Sequence, residues 1–102
     1  MRALRTGVAL CALLLGAGAN AETHVVTIHR MAYELPEKEV HPGDIIEWVN
    51  EDRVPHTATS EAVGFDATLG PGETARTPLT RTGRFEVHCK YHLGMRTVLV
   101  VR

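Results

Sequence analysis

Turn signals recur along this chain, and no convincing helical period survives between them. Pro42-Gly43-Asp44, Gly70-Pro71-Gly72-Glu73 and Arg81-Thr82-Gly83 read as turns by composition, and Leu35-Pro36 adds a further break. The pieces between them are short. Val25 to Arg30 (VVTIHR) is rich in β-branched residues, and Glu39-Val40-His41 is a brief extended piece. Ile45 to Asn50 alternates, with Ile46 and Trp48 on one face opposite Glu47. Gly64 to Leu69 reads as loop or irregular edge. Thr74 to Leu79 is a weak strand, and Arg84 to Cys89 a clear one. Arg96 to Arg102 (RTVLVVR) is apolar on both faces, which predicts a central strand. Many short strands between regular Gly/Pro turns predict an all-β antiparallel sandwich or barrel of about seven strands.

The N-terminus belongs to a different class of segment. Arg2 and Arg5 open it, Gly7 to Gly18 is apolar and small, and Ala19-Asn20-Ala21 has the A-x-A form of a cleavage site. The apolar run is shorter than the roughly 20 residues a membrane-spanning helix needs. Residues 1–21 are therefore expected to be a secretory signal peptide, with export to the periplasm and no stable membrane insertion. Residues 22–102 are then one small domain. Cleavage removes Cys11 and leaves Cys89 as the single cysteine. A lone thiol in an oxidising compartment is a liability unless it is buried, paired or bound to metal.

Removing Arg2 and Arg5 takes the formal charge from −1 to −3. No basic stripe points to nucleic acid, and no basic amphipathic helix points to a membrane surface. All six histidines lie beyond residue 21.

The chemistry is concentrated near the C-terminus. Cys89-Lys90-Tyr91-His92-Leu93-Gly94-Met95 has the form C-x-x-H-x-x-M, and Pro55-His56-Thr57 follows the Ile45–Asn50 strand upstream. Two imidazoles, a thiolate and a thioether are the ligand set of a blue-copper electron-transfer site. Zinc takes thiolates, imidazoles and carboxylates rather than thioether, covalent haem needs C-x-x-C-H, and calcium needs an oxygen cluster. His56, Cys89, His92 and Met95 are therefore the candidate ligands of one copper ion. Strand alternation puts Phe85, Val87 and Cys89 on the core face and turns His88 away from the site. His24, His29 and His41 lie in or beside strands away from the motif and are expected to be solvated.

These motifs resemble those of the cupredoxins, and within them the amicyanin and plastocyanin-like group. The resemblance rests on Pro42-Gly43-Asp44, Trp48-x-Asn50, Pro55-His56-Thr57, Leu69-x-Pro71-Gly72, Gly83-x-Phe85-x-Val87-His88-Cys89 and the C-x-x-H-x-x-M loop. That short ligand spacing is typical of amicyanins. Tyr91 and Thr57 depart from the amicyanin pattern, which has Pro before the second His and Asn after the first. The resemblance implies a Greek-key β-sandwich and one-electron transfer without catalysis. It also implies equatorial His56, Cys89 and His92, axial Met95, and a Thr57 backbone N–H on the cysteine sulfur. Asn50 matches a family position near the site. The implied partners are transient redox proteins, a dehydrogenase or a cytochrome c type donor or acceptor, meeting a monomer at His92 within a patch of Val54, Pro55, Leu93 and Tyr91. A copper carrier or storage protein would use the same ligands, and remains the alternative at this level.

Overall fold

The computed structural model describes residues 21–102; the expected signal peptide lies outside them but for Ala21. The described residues form eight strands and no helix: β1 (Thr23–His29), β2 (Ala32–Glu34), β3 (Ile45–Asn50), β4 (His56–Ser60), β5 (Phe65–Leu69), β6 (Thr74–Pro78), β7 (Gly83–His88) and β8 (Arg96–Val101). They make two four-stranded sheets, ordered β2-β1-β3-β6 and β5-β4-β7-β8. The all-β sandwich is the architecture expected from the sequence.

Alternation builds the core. His24, Val26 and Ile28 of β1 and Ile46, Trp48 and Asn50 of β3 face inward, as do Phe85 and Val87 of β7 and Leu99 and Val101 of β8. Trp48 sits at the centre, 6.1 Å from the Tyr33 ring and 5.9 Å from the Phe65 ring. Its indole N–H would be costly to bury unpaired; it donates to Thr77 Oγ1 at 2.8 Å. Burying a side chain of this size contributes on the order of 3 kcal/mol.

Four features differ from the sequence reading. First, β1 pairs with β3 in parallel, from Thr23 opposite Ile45 to Ile28 opposite Asn50. The chain leaves β2, runs through residues 35–44 and re-enters the sheet in the direction of β1, so the sheet is mixed. Second, β8 is an edge strand. Leu99 and Val101 serve the core while Val98 is 40% exposed, and one parallel bridge from Val40 to Val101 covers its end. Its two-sided apolarity mimics a central strand because residues 35–40 lie beside its outer residues, where Leu35, Pro36, Val98 and Val100 line one groove. Third, the segment read as loop or irregular edge is a regular edge strand, β5, in register with β4 along its whole length.

Fourth, β2 carries no signal in the sequence. It follows β1 through a two-residue turn, with His29 opposite Ala32. Arg30 (φ 53°) and Met31 (φ 63°) both occupy the left-handed region. Such hairpin turns favour Asn-Gly. Non-glycine residues there cost about 1–2 kcal/mol each. The Asp52 carboxylate supports this turn, its Oδ1 accepting from Arg30 N–H at 2.8 Å and its Oδ2 from Met31 N–H at 2.9 Å.

The histidines outside the motif also divide. His29 is half-buried and His41 exposed, but His24 is buried rather than solvated. It lies on the core face of β1, where Asp44 Oδ2 bonds its Nε2 at 2.8 Å. Asp44 also accepts the N–H groups of Glu22 and His41, each at 2.9 Å, and so joins the first strand to the turn before β3. Burial works against its charge. The two backbone N–H groups and the His24 imidazole outweigh that and bring its pKa down to about 2 from the ordinary 3.8. A depressed carboxylate stabilises the fold above its unfolded pKa, and the contribution is lost as pH falls through the folded one. The apo protein is therefore expected to lose melting temperature between pH 4 and pH 2. Asp44→Asn should melt lower at pH 7 and fall less steeply in that window; equal slopes for the two proteins would contradict the assignment.

Candidate metal centre

β7 delivers the thiol. Its alternation carries Phe85, Val87 and then Cys89 to the inner face, and the buried Cys89 follows the last strand residue. The chain reverses at once. Cys89 N–H donates to Met95 O at 3.0 Å and Met95 N–H to His92 O at 3.1 Å, which closes the loop before β8 begins at Arg96. Gly94 makes the reversal in the left-handed region at φ +88°. Cys89, His92 and Met95 are thus held in one short loop. Met95 is buried and lines the same cleft as Cys89 and His92. His88 points to the other face, opposite Thr59 and Arg96 in the sheet.

A second loop brings the other imidazole. Asn50, fully buried at the end of β3, donates from Nδ2 to the carbonyls of Val54 (2.9 Å), Leu69 (3.1 Å) and Gly70 (3.2 Å). Its Oδ1 accepts Asp52 N–H at 2.9 Å. One amide therefore fixes the path of residues 51–55, and His56 opens β4 with no exposed surface.

The two loops meet. The ligand atoms of His56, Cys89 and His92 all lie within 4.8 Å of one another. His56 Nδ1 is 3.9 Å from Cys89 Sγ, and the two imidazole rings stand 4.9 Å apart at 64°. Metal bonds of about 2.0 Å to imidazole and about 2.3 Å to thiolate place two such atoms about 3.7 Å apart at a trigonal angle. The observed separation therefore fits a shared metal. Thr57 N–H points at Cys89 Sγ over 3.3 Å, the contact the resemblance implied, and suits a sulfur that carries negative charge.

Several supporting groups had no signal in the sequence. Thr57 Oγ1 accepts Lys90 N–H at 2.9 Å and lies 2.9 Å from the Thr59 hydroxyl, tying β4 to the start of the 89–95 loop. The Tyr33 hydroxyl donates to Thr57 O at 2.6 Å. Burial, and secondarily the nearby Cys89, push that phenol above its ordinary range. Asp52 Oδ2 bonds His56 Nε2 at 2.8 Å. In the sequence Asp52 stands out only as a loop carboxylate beside Glu51.

The mouth of the site is apolar. Val54, Pro55, Tyr91 and Leu93 are all exposed around the half-buried His92, and Leu93 is fully so. The flanking charges are largely paired: Lys90 with Asp66 at 2.6 Å and Arg96 with Glu86 at 3.1 Å. A second group, Glu22, His24 and Asp44, also brings its ligand atoms within 4.8 Å. Its atoms are already committed to the network that holds the first strand, with Lys38 on Glu22 at 2.6 Å.

Comparison with known proteins agrees with this geometry. The family model for the cupredoxin-like domain matches residues 4–101. Amicyanin of Paracoccus denitrificans is 34% identical over 83 residues, which cover 76% of this chain and 63% of that protein. The chain thus spans under two thirds of that relative's length. Among solved structures, an oxidised amicyanin with a methionine-to-leucine substitution superposes with a TM-score of 0.69 at 30% identity, over 76% of this chain and 80% of that one. The Cu(I) form of a methionine-to-alanine amicyanin variant gives 0.70 at 28% identity, over 83% and 89%. Cupredoxins bind one copper, and the grouped His56, Cys89 and His92 are the residues here that fit it. Matched over nearly its whole length, with the family's sandwich and its ligand group in place, the chain belongs to the cupredoxin-like family.

Proposed function

We propose that this protein carries single electrons between redox partners through a type 1 copper centre. His56, Cys89, His92 and Met95 would hold the copper. The observation that carries the reading is the buried Cys89 sulfur, 3.9 Å from His56 Nδ1 and capped by the Thr57 N–H. Copper bound there supplies a one-electron couple whose potential depends on the axial ligand and on hydrogen bonding at the sulfur.

The residues divide the work. Asn50 and the backbone bonds across residues 89–95 hold both loops through hydrogen bonds that do not use the ligand atoms. A site that moves little between oxidation states exchanges electrons with little reorganisation. The Thr57 N–H gives the Cys89 sulfur a hydrogen-bond donor at 3.3 Å. His92 is the ligand that reaches the surface, and it does so inside the apolar rim of Val54, Pro55, Tyr91 and Leu93. That rim suits brief, close docking of a protein partner, a dehydrogenase or a cytochrome c type protein by the resemblance. Four protein ligands leave no position for a substrate, so the reading is a carrier and not an enzyme. Export to the periplasm through residues 1–21 accords with a single sequestered thiol.

Two measurements test this. The copper-loaded protein should show the intense thiolate-to-copper absorption and the narrow EPR hyperfine splitting of such a site, and Cys89→Ser should abolish both. A variant that stays blue would sink the ligand assignment, and rapid copper exchange by a colourless parent would identify a metal carrier instead. Leu93→Asp, placing like charges at the docking face, should slow electron self-exchange by about tenfold at low salt. Its absorption spectrum should stay that of the parent. Self-exchange is read from NMR line broadening in partly oxidised samples, and an unchanged rate would remove Leu93 from the docking surface.

A further inference from the structure

We propose that Asp52 is a positioning residue that fastens the left-handed β1–β2 turn to the His56 imidazole, so that this hairpin helps set the orientation of a metal ligand. The proposal rests on the reading of His56 as a ligand.

Three hydrogen bonds converge on one carboxylate. Asp52 Oδ1 accepts Arg30 N–H at 2.8 Å, and Oδ2 accepts Met31 N–H at 2.9 Å. Oδ2 also lies 2.8 Å from His56 Nε2. The Asp52 backbone is held in turn, because its N–H donates to Asn50 Oδ1 at 2.9 Å. Both carboxylate oxygens are therefore oriented by the turn and by the loop at once.

The consequence for His56 follows from donor and acceptor chemistry. An ionised carboxylate only accepts, so Nε2 carries the proton and Nδ1 keeps its lone pair. Nδ1 is the atom that faces Cys89 Sγ. A carboxylate on the far nitrogen of a ligating histidine fixes both tautomer and ring orientation, and losing such a partner typically weakens metal binding 10–100-fold. His56 has no exposed surface, so no bulk water stands ready to replace that acceptor.

The turn needs the same group for its own reason. Arg30 and Met31 hold φ values of 53° and 63°, where neither side chain is at ease. Their two N–H groups point the same way, and the carboxylate bridges them. One side chain thus serves a conformation the turn residues do not favour by themselves and an imidazole that needs a fixed acceptor.

The experiment separates the two roles by rescue. Three proteins are compared with the parent: Asp52→Ala, the turn variant Arg30→Asn with Met31→Gly, and the combination of all three substitutions. In the apo parent, long-range proton–nitrogen NMR should report His56 as the Nε2–H tautomer, and the Arg30 and Met31 amides should exchange slowly. Asp52→Ala should give a mixed His56 tautomer, faster exchange at both amides, a lower melting temperature and a 10–100-fold loss of Cu(II) affinity. In the combined variant the Asn-Gly turn should restore the melting temperature while the tautomer and the affinity stay impaired. Rescue of affinity and tautomer by the turn alone would overturn the proposal, since Asp52 would then be support for the hairpin only. An unchanged tautomer and affinity in Asp52→Ala would overturn it as well. A parent that binds no copper would end the metal-centre reading, while the apo tautomer and exchange data would still decide the Asp52 contacts.

Discussion

Strand β4 is buried at all five positions, and four of its five side chains are polar. This is the constraint around which the site is organised, because a buried polar group costs free energy unless it is paired. His56 takes Asp52, Thr57 takes Lys90 N–H and Thr59, and Thr59 takes Asp66 Oδ1 at 2.8 Å. The Thr57 N–H has the Cys89 sulfur. Ser60 Oγ finds no partner among the described residues. Nearly every bond that satisfies β4 reaches a different segment. Satisfying the strand therefore assembles the centre: it draws in the 51–55 loop, the edge strand β5 and the start of the 89–95 loop.

The surface follows a complementary rule. Two charges beside the 89–95 loop are partnered by neighbours, Lys90 by Asp66 and Arg96 by Glu86, and Val54, Tyr91 and Leu93 leave exposed apolar ground about His92. Such exposed pairs add little stability. An apolar face of this kind is what the proposed brief docking of a redox partner would use.

Local pattern carried much of the fold. The strands at β1, β3, β6 and β7 were legible because alternation of apolar and polar residues is a property of neighbours in sequence. The orientation of Cys89 inward and His88 outward came from the same period. Other elements were illegible for identifiable reasons. β2 hides behind a turn built from Arg and Met, where composition gives no sign of left-handed backbone. β8 reads as central because its outer face is apolar as well, with Val98 exposed and Val100 half-buried beside residues 35–40. His24 reads as solvated because its partner Asp44 lies 20 residues away. Asp52 was visible as a loop acid, but its role depends on a hairpin that itself went unread.

By itself, the sequence determined the class of the molecule and the chemistry of its site. Frequent turns and short alternating runs admit little besides a β-sandwich, and one thiol with His92 and Met95 in a seven-residue loop offers the donor types proposed for the metal before any folding is considered. Tertiary structure decided which groups meet. The approach of His56 to Cys89, the Thr57 N–H on the sulfur, the parallel pairing of β1 with β3 and the carboxylate joined to both turn and imidazole all link residues distant in sequence. Such contacts depend on how the sheets stack and where each loop is tied, and no local period records that.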